Sequence, residues 1–219
     1  MKQSTIIFLA TVILVAGMAG FLASVPVRDQ TQQMHNAVLS LEKASVGQSF
    51  QATRDNLYRV DLFTAGDEVP KGGELTLILS ENPTASAVVR RATVKARRIR
   101  NNHYLSFVFP PIADSRGRRF YFRLLPENFR AKSSYVWFYS SEEVYASGKG
   151  FRGVKEIGGD LQFSSLTKTP LLEAARIIFS RVAENKPTLF NSAAFYLAPV
   201  ALYLLVSVLL MVELWPKRS

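Results

Sequence analysis

Apolar and polar positions along this chain fall into three regimes. From residue 5 to 25, TIIFLATVILVAGMAGFLASV, no charge interrupts 21 positions. A helix rises about 1.5 Å per residue, so this run reaches across a hydrocarbon core of about 30 Å and predicts a transmembrane anchor. Lys2 gives a short basic start of the kind that precedes a cleaved signal, with Gly17-Met18-Ala19 as a candidate cleavage site. The apolar run exceeds a signal's usual core of roughly 7–15 residues, which predicts that the anchor is retained. Residues 189–212, LFNSAAFYLAPVALYLLVSVLLMV, are a second uncharged run, followed at once by Glu213, Trp215, Lys217 and Arg218. An interfacial aromatic and cations just beyond it suit the end of a span. Pro199 inside this run predicts a kink, because it removes a backbone donor. In the first run Ala16 and Gly20 stand four apart, a small-residue spacing that lets another helix approach closely.

Between these runs the period changes to two. NLYRVDLFTA sets Tyr58, Val60 and Leu62 against Arg59, Asp61 and Phe63. ELTLILS, HYLSFVF, RRFYFRLL, SYVWFYS and GDLQFSSL repeat the alternation, with Gly, Pro, Asn and Asp between them. This predicts an all-β antiparallel sandwich, and about eight strands would suit a jelly-roll-like order. In such an order the first and last strands pair, as a domain tethered at both ends requires. Residues 30–45 are polar and Gln-rich, with Met34, Val38 and Leu41 at helical spacing, and read as a stalk or a helix extension. After Thr169-Pro170 the period becomes helical: Leu171, Ala175, Ile178 and Val182 share a face, Thr169 suits the N-cap and Pro170 the first helical position. That helix is expected to pack on protein or to lie on a bilayer. The organisation read from these periods is an anchor over 1–28, a stalk over 29–47, the sandwich over 48–168, an amphipathic helix over 169–187, and a transmembrane helix with a short basic tail over 188–219.

Charge alters this picture in one place. The net charge is +10. Residues 88–132 hold twelve Lys/Arg against only Asp114 and Glu127, so the whole excess belongs to one region. Two clusters carry it: Arg90, Arg91, Lys95, Arg97, Arg98 and Arg100, then Arg116, Arg118 and Arg119. If the fold brings them together they make one cationic surface for a ligand or partner, since guanidinium forks match carboxylate and phosphate oxygens in pairs. The competing role is a solvated basic edge that discourages strand-to-strand association. In the first cluster Arg91, Lys95 and Arg97 should point outward and Ala92, Val94 and Ala96 inward, with the alternation ending at Arg97-Arg98.

Catalytic chemistry is not legible. The chain has no cysteine, which excludes disulfides, thiolate metal sites and cysteine nucleophiles. His35 and His103 have no metal-binding spacing, SGKGFRG around Lys149 lacks the spacing of a phosphate loop and reads as a hairpin turn, and Gly-x-Ser-x-Gly does not occur. Asp55, Asp61, Asp114 and Asp160 offer oxygens for a calcium ion but are better read as turn and cap acceptors. Tyr135, Trp137 and Tyr139 offer sugar-stacking rings, with core packing as the simpler role. No enzyme, no cofactor and no metal are expected.

SFQATRDNLYRVDLF, FVFPPIADSRGRRFYFRL and GGDLQF, spanning roughly residues 48–166 by their strand and turn pattern, resemble a β-sandwich domain recurring in bacterial cell-envelope membrane proteins. Some of those proteins are associated with glycosyltransferase and surface-polysaccharide pathways. The resemblance rests on Phe50, Asp55-Asn56-Leu57, Arg59-Val60-Asp61, Phe109-Pro110, Ile112, Asp114-Ser115, Gly117 and Gly159-Asp160-Leu161. It implies fold more than activity, because these are turn and core positions. The terminal cations together with the signal-like start lead to the expectation that both termini are cytoplasmic and the middle domain lies outside. The expectation is a non-catalytic protein of the plasma membrane, an accessory subunit whose extracytoplasmic sandwich binds a partner subunit, a second copy, or an anionic glycan or lipid head group. Nucleic acid is not expected there. The alternative is a membrane-tethered nucleic-acid-binding protein that uses the arginine-rich surface.

Overall fold

The computed structural model describes residues 23–33, 36–40, 45–65, 72–85, 87–128, 136–184, 186 and 190–214. They fall into two units: Pro26–Lys168, and the described parts of the two flanks, which run up to Val25 and on from Thr169.

In the first unit alternation produces two antiparallel sheets. One is ordered β1 (Ser24–Gln32), β13 (Phe163–Pro170), β4 (Leu57–Ala65), β9 (Val136–Ser140), β12 (Asp160–Leu161), with β2 (Ala37–Ser40) on β9 and β7 (His103–Ile112) on β4. The other is ordered β11 (Lys155–Ile157), β10 (Gly150–Arg152), β3 (Val46–Gln51), β8 (Arg119–Glu127), β5 (Glu74–Ser80), β6 (Arg90–Lys95). Aromatic side chains join the layers: the Phe163 ring lies 5.7 Å from both Phe50 and Phe122 of the facing sheet. Leu62, Leu77, Leu79, Phe107 and Phe120 complete the fully buried centre. Burying a side chain of this size is worth about 1.5–3 kcal/mol, so this inward set is the main support of the sandwich.

One irregularity adjusts the predicted alternation. The register between β4 and β7 shifts between Leu57 and Arg59, and β13 shifts opposite the same place. The bulge at Tyr58 lets Leu57 and Val60, three apart, both point into the core, where each is fully buried. Across from it stand Pro110 and Pro111, which cannot donate to the ladder and are tolerated because β7 lies at the edge of its sheet.

Three expectations are corrected. Residues 29–47 contain the end of β1, all of β2 and the start of β3, and β1 begins at Ser24, inside the run read as an anchor. Strand pairing with β13 and β9 overrides the helical spacing read there. The described residues form thirteen strands, not about eight, because several are pieces of two to four residues. Thr169 is the buried penultimate residue of β13, and Pro170 occupies the N-cap without a side-chain hydrogen bond. The expected pairing of first and last strands is found, and the hydroxyls of Thr31 and Ser164 lie 3.0 Å apart across it.

The flanking unit contains helices α1 (Leu171–Ala183) and α2 (Ala193–Leu214). The Leu171 amide donates to the Ala23 carbonyl at 2.9 Å. Among the described residues no helix is long and apolar enough to cross a membrane. In α2 the side chains described without a break run from residue 194 to 207. The first expected span, with Ala16 and Gly20, lies outside the described residues except for positions 23–25.

Candidate functional site

The basic run starts on β6, the last strand of its sheet. Alternation turns Ala92 and Val94 inward and leaves Arg91 and Lys95 exposed, as the pattern predicts. The strand then ends in a 3-10 turn over Ala96–Arg98. Ala96 and Ile99 are buried in the core, so they fix the backbone on either side of Arg97 and Arg98. Arg97, Arg98 and Arg100 are exposed and, among the described residues, make no ion pair.

Arg90 has a different task. Its Nε donates to the Pro110 carbonyl at 2.9 Å, Nη2 to Pro111 at 3.1 Å and Nη1 to Val89 at 2.7 Å. Those proline carbonyls lie where the bulge opens the ladder, and the fork fastens the edge strand of one sheet to the edge strand of the other. A guanidinium with its donors so engaged serves the fold rather than a ligand.

The second cluster is also partly consumed. Arg118 pairs with Asp114 at 3.0 Å and Glu81 at 2.8 Å, and its guanidinium lies 5.2 Å above the Phe120 ring. Arg116 and Arg119 are exposed. Their distance from the first cluster follows from register. Arg90 lies opposite Leu79, and Ser80 opposite Tyr121, so Arg90 shares an end of the sheet with Arg119. Lys95 lies opposite Glu74, itself opposite Glu127, at the other end. Five strand steps separate Arg90 from Lys95, about 17 Å. The basic residues are thus spread along the sheet, with Arg90 at the end that Arg119 shares and Lys95 at the other. At that other end Lys95, with Glu74 opposite, leads into a cationic tip of Arg97, Arg98 and Arg100.

The candidate calcium ligands each hold a place in the fold. Asp55 accepts from the Arg116 amide at 3.0 Å, Asp61 is held by Arg59 through contacts of 2.6 and 2.7 Å, and Asp114 faces Arg118. Hydrogen bonding to Asp61 raises the Arg59 pKa above its ordinary value. Between the Asp55 and Asp114 turns, the buried Ser115 hydroxyl donates to the Arg54 carbonyl at 2.8 Å and accepts from the Leu57 amide at 3.1 Å. No group of three or more His, Cys, Asp or Glu suited to a metal occurs among the described residues.

Asp160 belongs to a polar network that sequence reasoning did not find. Fully buried, it accepts from Gln48 Nε2 at 2.7 Å and from the amides of Val144 and Tyr145 at 2.9 and 2.8 Å. Gln48 itself accepts from the Leu161 amide at 2.9 Å. The available signal was Gly159: its φ of +141° is open to glycine, and a Cβ there would collide with the Ser140 carbonyl. Burial pushes the nearby Tyr145 hydroxyl up to about 12, and does the same to Tyr121.

His103 begins β7 and is exposed, while His35 lies outside the described residues. Lys149 precedes the β10–β11 hairpin, whose turn is Gly153-Val154, and it contacts Glu156 at 3.2 Å and Glu143 at 3.6 Å. The hydrogen bond to Glu156, with the charge of Glu143, raises its pKa. Trp137 and Tyr139 lie on β9, between β4 and β12, but their side chains and all of Tyr135 lie outside the described residues.

In comparisons with known proteins, no family model matches this chain and no curated protein matches it.

Proposed function

We propose that this chain is a non-catalytic, membrane-anchored accessory protein of the cell envelope. Its jelly-roll-like sandwich faces away from the cytoplasm and binds an anionic glycan or an acidic partner subunit through the cationic tip. The observation that carries this reading is the pairing of β1 with β13, the strands by which the chain joins and leaves the sandwich. Paired terminal strands suit a domain tethered at both ends, and each leads in sequence to a long uncharged run, 5–25 and 189–212. α2 carries 20 residues of the second run, Ala193 to Val212. The resemblance to envelope sandwich domains supports the same reading. The tip supplies the binding chemistry: three exposed arginines, held by buried neighbours, suit carboxylate or phosphate oxygens.

Two measurements on the full-length protein test this. The cysteine-free chain permits Ser147→Cys in an exposed turn. Labelling of intact cells by a membrane-impermeant maleimide is expected; labelling only after permeabilisation would put the sandwich in the cytoplasm and overturn the reading. The purified protein should bind an acidic polysaccharide such as alginate in a salt-sensitive way. The Arg97→Ala/Arg98→Ala/Arg100→Ala variant should bind more weakly and with less salt dependence. Tighter, tip-dependent binding to duplex DNA than to alginate would favour the nucleic-acid alternative.

A further inference from the structure

We propose that α1 is an interfacial helix, lying along a bilayer surface with Leu171, Ile178 and Val182 in the boundary between head groups and acyl chains. This rests on the proposed membrane placement of α2. Leu171, Ala175, Ile178 and Val182 recur at helical spacing and form one stripe, while Glu173, Arg176 and Ser180 occupy the opposite side. An amphipathic helix of a folded protein normally buries such a stripe. Here it is open: Leu171 is 44%, Ile178 55% and Val182 47% exposed, with Leu172 beside them at 66%. The residues α1 does bury are Ala174 and Ala183. With 13 residues α1 is about 20 Å long, too short to cross a hydrocarbon core of about 30 Å.

Features shared with α2 identify the bilayer as the cover. The Phe179 ring on α1 stacks on Tyr196 in the first turns of α2, with centroids 6.1 Å apart and planes at 4°. Phe195 lies 5.4 Å from Tyr196, and Phe190 lies 4.9 Å from Phe195. Aromatic side chains gather at the membrane–water interface, and this cluster stands where α2 begins its apolar course through Val200, Leu204, Leu205 and Leu209, all exposed. The stripe of α1 therefore adjoins the start of a surface that itself requires an apolar surrounding. Arg176 on the polar side suits anionic head groups.

The test uses full-length protein in phosphatidylcholine–phosphatidylglycerol vesicles, with single cysteines carrying an NBD fluorophore at Ile178→Cys, Arg176→Cys and Leu204→Cys. At position 178 the expected result is loss of fluorescence to shallow nitroxide lipids and protection from aqueous iodide. At position 176 iodide should quench. Position 204 should respond to deep nitroxide lipids, which checks the membrane placement of α2 separately. If 204 responds but 178 is open to iodide, α1 is not interfacial. If 178 is protected from both quenchers, protein covers the stripe, as a second copy would, and the proposal is overturned. If 204 fails to respond to deep nitroxide, the membrane reading of α2 itself fails.

Discussion

Gln48 on β3 and Asp160 on β12 lie on opposing sheets, and the Gln48 amide donates to the Asp160 carboxylate at 2.7 Å. Both are fully buried. The contact is reciprocal, because the amide following Asp160 donates back to Gln48. Removing the carboxylate in Asp160→Ala strands two buried donors, those of Gln48 and Tyr145, and frees the Val144 amide, whose residue is exposed. Each unsatisfied buried group costs about 1–3 kcal/mol, so a loss of at least about 2 kcal/mol is expected in chemical unfolding of the purified protein. Asp160→Asn should be milder but still destabilising. Its amide can keep either the Gln48 contact or both backbone donors, and turning Gln48 to compensate would release Leu161.

The split of the arginines predicts opposite phenotypes for neighbours in sequence. Arg90→Lys keeps the charge, but an ammonium cannot reproduce the fork across the Pro110 and Pro111 carbonyls. A stability loss of about 1–2 kcal/mol with unchanged alginate binding is expected. Arg97→Ala/Arg98→Ala should show the reverse: weaker binding and a melting midpoint close to that of the parent. Equal binding loss in both variants would mean that the latch and the tip act as one surface.

Ser115 joins the two turns that carry Asp55 and Asp114. In Ser115→Ala the Arg54 carbonyl and Leu57 amide lose their shared partner inside the protein. A destabilisation of about 2–3 kcal/mol is expected from denaturant unfolding. A change within experimental error would show that water or a shifted backbone replaces the hydroxyl.

Tyrosine ionisation should report the sandwich directly. Burial raises Tyr121 and Tyr145 from 10.0 to about 12 in the folded protein. A raised folded pKa favours the protonated native form, so this stability is fully present below pH 10 and is lost as pH rises toward about 12. Absorbance at 295 nm should show a late-titrating fraction of the eight tyrosines, and Tyr121→Phe should reduce it. Complete titration near pH 10 in folded protein would contradict the burial.

Much of the sandwich was legible along the chain. Alternation located the cores of β4 to β8 and the outward Arg91 and Lys95, because a half-buried strand requires period two. It could not show that Leu57 is buried together with Val60, since a bulge changes the phase without changing the composition. It also missed β1, which is mostly polar, and the four-residue β2, strands that pair with β13 and β9. Pairing partners so far apart in the chain leave no local signature.

The sequence by itself determined that this protein has a β-rich middle, two uncharged flanks and all of its excess positive charge between residues 88 and 132, since composition and periodicity are properties of the chain. Only the tertiary structure decided what that charge can do. Register carried Arg90 and Arg119 to one end of a sheet and Arg97, Arg98 and Arg100 toward the other, about 17 Å along at strand spacing. Carbonyls opened by the Pro110-Pro111 edge took Arg90, and two acids from separate turns took Arg118. An arginine's availability depends on the acceptors that folding brings within reach, and charge density along the chain does not contain that information.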